Sequence, residues 1–375
     1  MKRFIKEETV LFVSILKWFT LATAIGALTG IISAYFVVAL DKSIFWISNI
    51  PGYYLLLPIV FLSTYLINHY VFPSAKEHTT NDVIYAIHKQ KTISLLVIPK
   101  IFISSLLTIA FGGSAGKEAP CADMGAGLGS FLGRVLKLSA KDVRKLVICG
   151  VSAGFASAFG VPLSGAIFGL EVLSVGALLY EVLFPAVVSG ITSFYVSSLI
   201  GLSYFREPLI IPSIPKESII LKVVGAGIVF GIVSLITIEF MKYAKRLFAS
   251  LKFSPFSKVV IGGLVLALVT IFVHDRYLGL GMDSTIAYLK GVSAHSFDFL
   301  GKISFTAVTL NFGGSGGIIT PLFYIGASAG NALGQLFSSE NIRLFSALGM
   351  VSLISGCCNT PLSASIMAIE LFGPN

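Results

Sequence analysis

The sequence predicts an all-α membrane protein, a bundle of broken and re-entrant helices forming a single transmembrane domain over residues 1–375. Three observations carry this. Hydrophobic residues make up 55% of the chain and charged ones only 12%, about half the charged share of a soluble domain. The apolar residues gather into runs, several of them shorter than the roughly 20 residues that cross a bilayer. Two glycine-rich loops, 201 residues apart, repeat one another.

The runs fall at 10–40, 53–72, 92–111, 123–137, 145–160, 162–175, 177–200, 218–248, 257–276, 296–312, 321–337, 344–358 and 361–372. The first follows a basic start, as a signal peptide would, but it is too long for one and reads as a tilted span. The short runs need protein around their ends, because lipid offers no partner to free backbone groups. Pro208, Pro212 and Pro215 mark 205–217 as a linker between a first half, 10–204, and a second half, 218–375.

The formal charge is +9, from 27 basic and 18 acidic residues. The basic residues cluster between apolar runs, as in Lys2, Arg3 and Lys6, or Arg134, Lys137, Lys141, Arg144 and Lys145. That is the positive-inside pattern of a multi-pass cell-membrane protein with a cytoplasmic N-terminus. A mean hydropathy of +0.90 excludes nucleic acid as the partner; the lipid bilayer is the partner instead. Cys121, Cys149, Cys357 and Cys358 lie in or beside apolar runs without CxxC spacing, so they read as buried free thiols, with no metal site and no disulfide framework.

The halves repeat. A displacement of 201 residues carries Phe111, Gly112, Gly113, Ser114, Gly116 and Pro120 onto Phe312, Gly313, Gly314, Ser315, Gly317 and Pro321. It also carries Gly125, Ala126, Gly129 and Gly133 onto Gly326, Ala327, Gly330 and Gly334. Further on the displacement is 199, and Pro162, Leu163, Ser164 and Glu171 meet Pro361, Leu362, Ser363 and Glu370. Composition bias does not align a proline, a Gly-Gly-Ser and four later small residues at one shift. An internal repeat in a multi-span chain points to a transporter with its site between the repeats.

Each loop ends in a proline that suits the first turn of a helix. A helix starting within the membrane aims free N–H groups and a positive dipole end at one point. Two such ends, one per half, make an uncharged anion cradle. Glu118 stands where the second half has Ile319. Its carboxylate reads either as a plain cap or as an anion that competes for the cradle and gates it. The loop is one residue short of a P-loop and lacks its Ser or Thr after the lysine, so neither a nucleotide nor another cofactor is expected.

Gly116-Lys117-Glu118-Ala119-Pro120 resembles the Gly-Arg/Lys-Glu-Gly-Pro motif of the CLC chloride channels and chloride/proton antiporters. Gly317-Ile318-Ile319-Thr320-Pro321 resembles the later Gly-x-Phe-x-Pro motif, and segments around Pro162 and Pro361 resemble the family's Asn-Ala-Pro-Leu type. The resemblance runs from about residue 75 to 372 in matching order. It implies a CLC-type inverted-repeat bundle, a homodimer with one anion pathway per subunit, and Glu118 as the gating glutamate. It implies anion contacts from Gly116, Lys117, Glu118, Ala119, Ile318 and Ile319, with chloride as the ion and protons as its counter-substrate in the exchangers.

Four departures qualify the match. His78-Thr79-Thr80-Asn81-Asp82 replaces Gly-Ser-Gly-Ile-Pro, leaving Thr79 or Thr80 to supply the hydroxyl for the central anion. Ile319 replaces an aromatic residue. Val172 stands where proton-coupled members carry an inner glutamate, and Glu171 and Glu370 read as structural helix-end acids. The family has a further helix after the one bearing Glu370, with a tyrosine on the anion, whereas this sequence ends at Asn375.

Channel-like conduction and chloride/proton exchange both stay open. Fluoride ranks below chloride, because an acid is expected in the fluoride branch where Ile318 stands. Ser164-Gly165 would be the nucleophile of an intramembrane hydrolase, but no histidine lies within an apolar run to activate it. A cation permease would need acids in mid-span.

Overall fold

The computed structural model describes residues 2–73, 85, 92–173, 179–209, 217–337 and 342–373. Among them every regular element is helical. The first half contains α1 (Lys2–Ser48), α2 (Leu57–Leu66), α3 (Val97–Ala110), α4 (Glu118–Val135), α5 (Ala140–Phe159), α6 (Pro162–Leu173) and α7 (Tyr180–Leu199). The second contains α8 (Glu217–Ser250), α9 (Pro255–Val273), α10 (Met282–Leu289), α11 (Asp298–Asn311), α12 (Ile319–Phe337), α13 (Ile342–Cys358) and α14 (Pro361–Phe372).

Among the described residues five helical stretches are long and apolar enough to cross a bilayer: Phe12–Ser48, Tyr53–Val71, Tyr180–Leu199, Ile219–Ser250 and Pro255–Leu289. Others fall short. The 14-residue helices α3 and α11 rise only about 21 Å, against a hydrocarbon core of about 30 Å. Both stop inside the protein at a glycine with left-handed backbone, Gly112 (φ 94°) and Gly313 (φ 111°), which turns the chain into a loop. These are the broken helices expected from the short runs.

Two differences from the sequence reading have physical causes. The run expected at 123–137 begins as helix at Glu118, because Glu118 and Asp123 depress local hydropathy while Pro120 suits a first turn. The eight residues of α10 carry too mixed a composition to register as a run.

The centre of the molecule is held by very close helix pairs. α4 packs along α5, and α12 along α13. A Cβ on Gly125 would overlap the Gly150 carbonyl, and one on Gly326 would overlap that of Gly349. These pairs match one another in the sequence repeat, so the same small residues permit the same approach twice. Without a hydrophobic drive between helices in lipid, such close contact supplies the cohesion. Gly26 and Gly30 of α1 likewise meet the backbone of Ser189 and Ser193 on α7. Their counterparts Gly227 and Gly231 on α8 have no atom within 4 Å of a built Cβ.

Part of the expected linker is described. Glu207 and Leu209 donate backbone hydrogen bonds to Leu371 and Phe372 at the end of α14, at 3.1 and 3.0 Å. Leu57, Phe61, Val259 and Leu266 form a satellite core between α2 and α9. The main core surrounds α4, α5, α12 and α13.

Candidate functional site

The two glycine loops meet at the centre. Gly116 N–H donates to the Gly317 carbonyl and Gly317 N–H to the Gly116 carbonyl, both at 2.7 Å. This two-bond bridge leaves the N-termini of α4 and α12 facing one another. Glu118, the first residue of α4, is 1% exposed. Its Oε1 accepts the Ile319 backbone N–H at 2.7 Å, and its Oε2 accepts the Thr320 hydroxyl at 2.7 Å. The carboxylate of one half therefore occupies the helix end of the other.

Local sequence explains why it fits. A Cβ on either Gly116 or Gly317 would overlap the Glu118 carboxylate, so both positions need the missing side chain. Pro120 and Pro321 lie in the first turns of α4 and α12, where a lost N–H leaves no gap in the helical ladder. The dipole end of α12 and two charge-assisted bonds compensate the carboxylate for its burial. An arrangement that holds a carboxylate this way can hold another small anion in its place.

Of the residues expected at the site, Gly116, Lys117, Glu118, Ala119, Ile318 and Ile319 come together at these two helix ends. Glu118, Ile319 and both glycines are buried, and Lys117, Ala119 and Ile318 are half-buried. Thr79 and Thr80 lie outside the described residues, as does His78. Thr320 was missed: in the sequence it is an unremarked position within Gly-x-x-x-Pro, and only the fold turns its hydroxyl onto Glu118.

Glu171 and Glu370 have the helix-end role expected of them, across the repeat. Glu370 accepts the N–H groups of Leu163 and Ser164 at the start of α6, at 2.9 and 2.8 Å. Glu171 accepts those of Leu362 and Ser363 at the start of α14, at 3.1 and 2.8 Å. Ser164 and Ser363 also exchange hydroxyl-to-carbonyl bonds at 2.9 and 3.0 Å, a structural use that occupies the serine considered as a nucleophile.

A second buried polar group escaped the sequence reading. Asp298, 1% exposed, accepts from Tyr277 and Tyr288 hydroxyls at 2.8 Å each and from Arg276 at 3.2 Å. Lys302, fully buried, donates to the carbonyls of Tyr277 and Gly279 at 3.1 and 2.8 Å. Gly279 N–H in turn donates to the Gly112 carbonyl at 2.9 Å. This group anchors the turn behind the first glycine loop. An acid and a lysine four residues apart in one apolar run gave no sign of it.

The model of the voltage-gated chloride channel family matches residues 59–375. A chloride/fluoride channel protein of Pseudomonas syringae pv. tomato is 36% identical over 98% of this chain and 82% of its own length. The crystal structure of a CLC-type fluoride/proton antiporter superposes with a TM-score of 0.90 at 30% identity, covering 96% of this chain and 91% of that one. A slow cyanobacterial chloride/proton antiporter shares the fold, with a TM-score of 0.83 at 19% identity over 95% and 89% of the two chains. With the paired glycine loops, the buried glutamate between them and this match over most of its length, the chain belongs to the voltage-gated chloride channel (CLC) family of anion channels and antiporters.

Proposed function

We propose that this protein exchanges a small halide, fluoride ahead of chloride, for protons across the membrane, with Glu118 as gate and proton carrier. One observation carries the reading: the Glu118 carboxylate, sealed from solvent, accepts the Ile319 N–H and the Thr320 hydroxyl from the other half. While it sits there the cradle is filled and nothing passes. A proton removes its charge and its hold on the donors; a halide then takes them. Ion and proton thus alternate at one place, which couples them without an inner glutamate at Val172.

Fluoride moves ahead of the chloride expected from the motifs for two reasons. The Pseudomonas channel protein and the antiporter structure, which match nearly the whole chain at 36% and 30% identity, carry fluoride in their names. The two donors also meet two different carboxylate oxygens, each at 2.7 Å, the contact distance that an anion of oxygen's size makes. Fluoride is close to that size, and chloride, being larger, sits farther from the same donors. Chloride remains the second reading, favoured by the family model's description and by the paired name of the Pseudomonas relative. The anion contacts in this reading are Gly116, Lys117, Ala119, Ile318, Ile319 and Thr320, with Thr79 or Thr80 at the inner end. The protein is a homodimer of two inverted-repeat subunits, each with its own pathway and a cytoplasmic N-terminus.

Efflux from liposomes loaded with equal fluoride and chloride, read with electrodes selective for each, tests the ion. Faster fluoride loss is expected. Loss of chloride alone would make chloride the substrate, and loss of neither would end the halide reading.

A further inference from the structure

The loops are held by more than their glycine bridge. Thr108, in the last turn of α3, accepts the Ser315 backbone N–H of the second loop on its hydroxyl oxygen at 3.0 Å. Thr309, in the last turn of α11, accepts the Ser114 backbone N–H of the first loop at 3.0 Å. One turn earlier, the Ser105 hydroxyl pairs with that of Ser315 at 3.0 Å, and the Thr306 hydroxyl with that of Ser114 at 2.9 Å. The displacement of 201 residues carries Ser105, Thr108 and Ser114 onto Thr306, Thr309 and Ser315. Each helix therefore grips the loop of the other half, and the grip is made twice in the same way.

All of these side chains except Ser315 are buried, none more than 1% exposed. Thr108 also donates to the Ser104 carbonyl at 2.8 Å, which fixes its hydroxyl proton and leaves its lone pairs facing Ser315. Both braces lie just ahead of the Gly116–Gly317 bridge, which in turn precedes Glu118 and Ile319. From brace to bridge to helix start, neither loop has slack.

We propose that Thr108 and Thr309 are specificity-determining positioning residues: the crossed brace sets the separation of the two helix N-termini, and with it the size of anion the cradle admits. Neither residue touches the anion. They act through Ser315 and Ser114, and they keep the loops fixed while only the Glu118 side chain moves. This inference rests on the halide reading given above.

The test is the chloride-to-fluoride flux ratio in liposomes for the full chain and for Thr108→Val, Thr309→Val, the double variant, and the conservative Thr108→Ser and Thr309→Ser. Valine keeps the shape and removes the acceptor. Each lost bond is expected to raise the ratio about fivefold, in line with the usual worth of a hydrogen bond, while fluoride flux persists; both serine variants keep the wild-type ratio. A purely structural role would lower both fluxes together and leave the ratio alone. An unchanged ratio in the folded double variant, or in both single valine variants if the double does not fold, overturns the brace. A wild-type protein that moves neither halide overturns the halide reading, and this inference with it; wild-type fluoride flux beside an unchanged variant ratio overturns the brace alone.

Discussion

Glu118 places a carboxyl group in the middle of the protein, where the Ile319 N–H and the Thr320 hydroxyl each reach it at 2.7 Å. Removing one of the two should be felt at once. A hydrogen bond to a charged group is worth about 1.5–3 kcal/mol, so Thr320→Ala should free the carboxylate about tenfold more often or better. The expected outcome is a halide leak from liposomes that needs no proton gradient, with Thr320→Ser close to wild type. A wild-type leak in Thr320→Ala would remove the hydroxyl from the gate. Gly317→Ala acts from the other side, since its Cβ would overlap the carboxylate. It should reproduce the uncoupled flux of Glu118→Ala, and the double variant should add nothing, because both act on one group. Additive effects would place the two residues in separate steps. At this scale the sequence was informative about Glu118, because the repeat set an acid against Ile319. It was silent on Thr320, whose partner Glu118 lies in the other half, and on Asp298, whose partners Arg276, Tyr277 and Tyr288 just upstream follow no periodic pattern.

The helices show why short apolar runs are stable here. α6 and α14, 12 residues each, begin with N–H groups that no helical carbonyl can take, and each is capped by a carboxylate near the end of the other. Glu370→Ala should remove the partner of both the Leu163 and Ser164 N–H groups; Leu163 is exposed and Ser164 buried, so the cost of about 1–3 kcal/mol for an unsatisfied buried group falls on Ser164. Thermal unfolding in detergent should move to lower temperature, with the proton-to-halide ratio unchanged. A changed ratio with unchanged stability would give Glu370 a part in transport instead. Element positions were largely legible: the runs at 92–111, 162–175 and 361–372 fall on α3, α6 and α14 within a few residues. The start of α4 was not, because the polar groups that make it an anion site also hide it from a hydropathy scan. The crossed capping by Glu171 and Glu370 was legible only as a repeat pair; which helix each acid reaches depends on the packing of the halves.

At the scale of the molecule, two related halves place two helix ends face to face, and the glycines at 125, 150, 326 and 349 let the supporting helices approach closely enough to do it. The repeat made this pairing readable in the sequence, since one displacement joined both loops and the small residues behind them. The halide was less readable, because the two motifs that frame the cradle supply it with backbone N–H groups, which any small anion can accept. If each subunit of a homodimer carries its own pathway, a wild-type subunit joined to one bearing Glu118→Gln should give the average of the two fluxes; complete loss of coupling in the mixed dimer would mean a shared pathway. The most direct test is fluoride efflux from liposomes with internal pH followed at the same time. Wild type is expected to carry protons against fluoride, and Glu118→Gln to move fluoride with no proton signal. Equal proton movement in the two proteins would contradict the account.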